Sequence, residues 1–127
     1  MNKIPFFAAI LALLGVGLGA FGAHGLEDLL IKKGTSSTWE TAVFYHLIHA
    51  VAAWSVVFCG SDEDKSIRSA ALCWVTGVVI FSGSLYLLAV GGPRWLGPIT
   101  PIGGLLFIIG WGLAAKYAWV TGGRRSG

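Results

Sequence analysis

Ile4-Pro5-Phe6-Phe7-Ala8-Ala9-Ile10-Leu11-Ala12-Leu13-Leu14-Gly15-Val16-Gly17-Leu18-Gly19-Ala20-Phe21-Gly22-Ala23-His24-Gly25-Leu26 runs for 23 residues without an Asp, Glu, Lys or Arg. A helix needs about 20 predominantly apolar residues to cross the hydrocarbon core of a bilayer. Three more uncharged windows follow, between Glu40 and Asp62, Arg68 and Arg94, and Arg94 and Lys116, of 21, 25 and 21 residues. Four windows of this length in 127 residues predict an all-α integral membrane bundle of four antiparallel transmembrane helices. A soluble bundle would need a polar face on each helix, and these windows offer almost none.

Outward from these windows the composition agrees. Hydrophobic residues make up 55% of the chain and charged residues 12%, about half the charged share of a soluble domain. So little chain lies outside the windows that residues 1–127 are expected to form a single transmembrane domain, with no room for a soluble catalytic unit. The net charge of +3 raises the question of nucleic acid. The basic residues are scattered beside the spans and form no stripe, so nucleic acid is not an expected partner.

Local signals place the elements. The expected spans are about 4–23, 38–59, 69–90 and 99–120. Lys3, the apolar run after it and the small residues Gly19-Ala20 or Gly22-Ala23 imitate a secretory signal, but the window is long enough to span and is expected to stay. Gly25 to Gly34 predicts a short interfacial helix, with Leu26, Leu29 and Leu30 on one face and Gly34 as its stop. Ser37-Thr38-Trp39-Glu40 has the form of a capping box opening the second span, and Trp39 suits the membrane–water interface. Gly60 to Ser69 is expected to be a charged turn. Gly91 to Pro98 is expected to be a tight loop, and Gly122 to Gly127 a frayed tail.

An even number of spans puts both termini and the second turn on one side. That side carries Lys3, Lys65, Arg68, Lys116, Arg124 and Arg125, against Lys32, Lys33 and Arg94 on the other. The bias predicts cytoplasmic termini. Cys59 and Cys73 fall at similar depth on the terminus side, where they are expected to stay reduced and to act as small packing groups.

Polar residues inside the spans are the candidate site. Counted from the window midpoints at about 1.5 Å per residue, His46, Tyr86 and Thr100 all lie roughly 7–8 Å from the midplane, in the leaflet opposite the termini. His49 and Ser82 lie nearer the midplane, and His24 nearer the surface. Tyr45 adjoins His46. His46, His49, Ala50 and Ala53 share one helix face; Ser82 and Tyr86 share another, from which Ser84 points away. Such groups act either as interhelical hydrogen-bond links or as a functional polar layer. Ser82 and Ser84 could bond back to their own helix. The paired imidazoles His46 and His49 are candidate metal or haem ligands, although no Cys or carboxylate accompanies them. A proton or solute path is the other active reading, but no Asp or Glu lies in any span. No nucleophile–base–acid set is visible, so the chain is expected not to be an enzyme and to carry no cofactor. Gly15, Gly19 and Gly22 in the first span, and Gly103 and Gly110 in the fourth, offer close-packing faces. The expected partners are the lipid bilayer and, through those faces, a second copy or another membrane protein.

Four strings stand out as more than generic apolar sequence. They are Gly19-Ala20-Phe21-Gly22-Ala23-His24-Gly25-Leu26; Thr41-Ala42 with Tyr45-His46 and His49-Ala50; Phe81-Ser82-Gly83-Ser84-Leu85-Tyr86; and Gly97-Pro98-Ile99-Thr100-Pro101-Ile102-Gly103-Gly104 leading to Gly110-Trp111. With them the chain resembles the uncharacterised small membrane-protein family of the transmembrane protein 256 type, which includes bacterial members. The resemblance covers nearly the whole chain and implies a four-helix integral membrane protein. It implies no activity, substrate or cofactor. The short tails and compact loops suit a bacterial cytoplasmic membrane, and the resemblance also permits an organelle membrane.

Overall fold

A computed structural model describes residues 2–59 and 64–125, without the side chains of Cys59 and Arg125. Its elements are α1 (Ile4–Ala23), α2 (Glu27–Lys33), α3 (Ser36–Cys59), α4 (Lys65–Ala89), a 3₁₀ turn (Arg94–Ile99) and α5 (Thr100–Arg125). Helices α1, α3, α4 and α5 are each long and apolar enough to cross a membrane. They form the four-span antiparallel bundle, and α2 is the short helix after the first span.

Helix ends explain where the elements differ from expectation. The first intrahelical bond of α3 runs from the Trp39 N–H to the Thr35 carbonyl, 3.1 Å. Ser37 therefore lies inside the first turn rather than at a capping box. The Thr35 hydroxyl instead donates to the Ala89 carbonyl, 2.7 Å, tying the start of α3 to the end of α4. Helix α4 opens earlier than Ser69, because the Asp64 carboxylate accepts from the Ser66 and Ile67 N–H groups and satisfies two otherwise orphaned donors. Of the expected turn at Gly60 to Ser69, residues 65–69 are helical and 60–63 lie outside the described residues. Gly34 ends α2 in the left-handed conformation, φ 66°, as a glycine stop requires. The expected loop before α5 contains the 3₁₀ turn, and α5 continues through Gly122 to Arg125 instead of fraying. Ser126 and Gly127 lie outside the described residues, and so does the partner side chain in the expected Cys59–Cys73 approach.

In space α1 packs along α3, α3 along α4, and α4 along α5. The main core sits between α3, α4 and α5, around Ala53, Ala70, Trp74, Val78 and Phe107. A smaller cluster of Leu30, Trp39 and Ala89 seats α2 on the bundle. Leu30 faces inward, whereas Leu29 is exposed. Many large apolar side chains on the outside, such as Phe6, Leu13, Val79 and Ile108, are exposed. This is the expected arrangement when the surrounding solvent is hydrocarbon rather than water.

Candidate functional site

The polar side chains of the spans are distributed as helix-to-helix links. In hydrocarbon an unpaired donor costs several kcal/mol, so each polar group must find its partner within the bundle or at its margin. His46, 3% exposed, lies between three helices. Its Nδ1 is 2.9 Å from the Tyr86 hydroxyl on α4, and its Nε2 is 2.7 Å from the Leu11 carbonyl on α1. A carbonyl only accepts, so Nε2 carries the proton and Nδ1 accepts from Tyr86.

His49, 4% exposed, has the opposite tautomer by the same reasoning. Its Nδ1 donates to the Tyr45 carbonyl one turn back, 2.8 Å. Its Nε2 accepts from the Trp111 indole N–H on α5, 3.1 Å. The His49 ring stacks on Phe107, centroids 3.7 Å apart and planes 8° from parallel. Both imidazoles are thus fully satisfied in the neutral form, which is the form that burial tolerates.

The remaining groups complete the pattern. Ser82 donates to the Ala42 carbonyl on α3, 2.7 Å, rather than to its own helix. Ser84 turns out to face α5. Its hydroxyl donates back to the Phe81 carbonyl, 2.9 Å, and lies 2.6 Å from the Thr100 hydroxyl. Thr100 therefore pairs with Ser84 and not with the His46–Tyr86 pair at similar depth. Tyr45 lines a groove between α3 and α5 of about 680 Å³, together with Phe44, Phe81 and Leu105. His24 is exposed at the end of α1, away from the other candidates. Every buried side-chain nitrogen or oxygen among the described residues has a hydrogen-bond partner. No three His, Cys, Asp or Glu side chains among them lie close enough to share a metal ion.

Three indoles belong to this network, and sequence reasoning did not assign them to it. Trp39 is buried, and its N–H donates to the Leu18 carbonyl, 3.0 Å. Its ring packs on α1. Trp74 is fully buried and donates to the Phe107 carbonyl, 3.3 Å. Trp111 donates to His49, as described above. The available signal was chemical: an indole N–H donates only, and deep in a bilayer it must find an acceptor.

The glycines explain how rings reach main-chain carbonyls already engaged in a helix. A helical carbonyl lies beside the side chains three and four residues further on. Gly22, four residues after Leu18, leaves space that Trp39 fills, and a Cβ there would collide with the indole. Gly15, four residues after Leu11, does the same for Leu47 and His46. Gly110, three residues after Phe107, accommodates Trp74. Gly19 lies against Val43, and Gly103 against the backbone of Phe81. The expected packing stripes are therefore used within the chain rather than presented to a partner.

A family model described as a protein of unknown function (DUF423) matches residues 18–104. That stretch contains Gly19, Gly22 and Gly103 with their partners Val43, Trp39 and Phe81, and most of the polar layer. The chain belongs to this family. Members similar over most of their length include the Bacillus subtilis UPF0382 membrane protein YwdK, 48% identical over 87% of this chain and 91% of its own. A Haemophilus influenzae UPF0382 membrane protein is 40% identical over 87% of this chain and 88% of its own. A Schizosaccharomyces pombe UPF0382 membrane protein is 40% identical over 82% and 91%. The family is one of membrane proteins, in agreement with the four spans, and carries no assigned activity. No solved structure matches the chain.

Proposed function

We propose that the protein is a non-enzymatic component of the bacterial cytoplasmic membrane, with both termini in the cytoplasm. In this reading its buried polar layer locks the four helices in register. The carrying observation is that both ring nitrogens of both deep histidines are engaged inside the chain. Neither imidazole keeps a free lone pair. A metal or haem iron could be ligated only by breaking the bond to Tyr86 or Trp111, or by changing a tautomer held by a carbonyl. Bonds of this kind between helices typically contribute about 0.6 kcal/mol each and at most about 1.7. Five of them linking different helices amount to a register-setting device without requiring chemistry. They are His46–Tyr86, His46–Leu11, His49–Trp111, Ser82–Ala42 and Ser84–Thr100.

The test replaces His46 and His49 together by Gln, which keeps donor and acceptor groups in place. The protein should stay folded, and metal analysis and absorption spectra should be identical for wild type and variant. A metal or haem present in purified wild type and absent from the folded variant would overturn the reading.

A further inference from the structure

A second concavity, separate from the polar layer, lies at the membrane–water boundary on the side opposite the termini. It encloses about 630 Å³ between α1, α2 and α3, within the range of small-ligand sites. Its composition changes with depth. At the mouth are Glu27, in the first turn of α2, and Glu40, near the start of α3; further down are Gly19, Val43, Phe44 and Leu47. Glu40 and Leu47 are seven residues apart on α3, a drop of about 10 Å into the bilayer.

Neither carboxylate has a basic side chain within ion-pairing distance among the described residues. Lys32 and Lys33, on the last turn of α2, do not neutralise them. Two free carboxylates over an apolar channel attract a cation attached to a hydrocarbon chain. A small soluble amine would satisfy the mouth and leave the channel empty. A simple alkyl chain would fill the channel and leave the charges unanswered.

We propose that this cleft holds a phospholipid whose head group ends in a primary ammonium. The ammonium donates to Glu27 and Glu40, and an acyl chain descends along Val43 and Leu47. A primary ammonium presents three donors at short range to carboxylates. A trimethylated ammonium has none and is held further away by its methyl groups.

The full-length protein in detergent micelles is offered equal amounts of phosphatidylethanolamine, phosphatidylcholine and phosphatidylglycerol with identical acyl chains, and retained lipid is counted by native mass spectrometry. Phosphatidylethanolamine is expected to be retained roughly three- to tenfold over the other two, the size two partly exposed ion pairs supply. The preference should vanish in Glu27→Gln/Glu40→Gln and persist in Asp28→Asn, which removes a neighbouring exposed carboxylate. Water-soluble glycerophosphoethanolamine should compete weakly, because it lacks the chain. Equal retention of the three lipids overturns the proposal. So does a preference that survives the double Gln variant, one that is lost in Asp28→Asn, or full competition by the free head group. None of these results bears on the histidine lock, whose test does not involve lipid identity.

Discussion

His46 accepts from Tyr86 through Nδ1 and donates to Leu11 through Nε2, so one imidazole ties α3 to two neighbours at once. Removing one partner should reveal how much each bond contributes. Tyr86→Phe leaves Nδ1 without a donor, and the expected loss is about 0.6–1.7 kcal/mol of unfolding free energy in a detergent titration. His46→Leu, which has no group to pair with Tyr86, should cost less in the Tyr86→Phe background than alone, because the shared bond is already gone. Strict additivity of the two substitutions would show that the bond contributes nothing. At this scale the sequence revealed less than it contained. The depth count put His46, Tyr86 and Thr100 at one level, but level alone does not pair groups. Thr100 instead meets Ser84, because the azimuth of each helix depends on the packing of all its neighbours.

Among elements, α1 shows how sequence spacing becomes attachment. Gly15 and Gly22 are seven residues apart, as are Trp39 and His46. In antiparallel helices the two heptad pairs meet ring to notch. Gly22→Leu should therefore displace Trp39 and destabilise the bundle by about 1–3 kcal/mol, the usual range for overpacking. Gly17→Leu should change stability by no more than about 0.5 kcal/mol, because a Cβ at Gly17 meets open space. Thermal unfolding of both variants in one detergent distinguishes the sites, and equal losses would remove the notch from the account. Helix α4 provides an independent test. Asp64→Ala deletes the bonds to Ser66 and Ile67 and should cost about 1 kcal/mol. Element existence was legible from uncharged length. Element ends were less so, since Ser37 and Glu40 have capping-box spacing but Thr35 begins the helix. The tie of its hydroxyl to Ala89 joins residues 54 positions apart, beyond any local pattern.

For the whole molecule, the proposed orientation rests on charge. Six Lys and Arg residues flank the spans on the terminus side and three on the other, so reporter fusions at either end should be active only for a cytoplasmic reporter. An externally active C-terminal fusion would reverse the proposed topology and place the Glu27–Glu40 cleft on the inner face. The sequence by itself determined the class, the number of spans and the short helix after the first, because crossing hydrocarbon demands uncharged length and leaves charge only at the boundaries. The polar positions were also visible, as side chains that hydrocarbon cannot solvate. Only the tertiary structure decided which carbonyl each ring reaches, that the glycine faces are occupied internally, and that two carboxylates of different helices stand over one apolar channel. These outcomes depend on helix rotation and offset, which arise from simultaneous close packing of several elements and have no signature within any one of them.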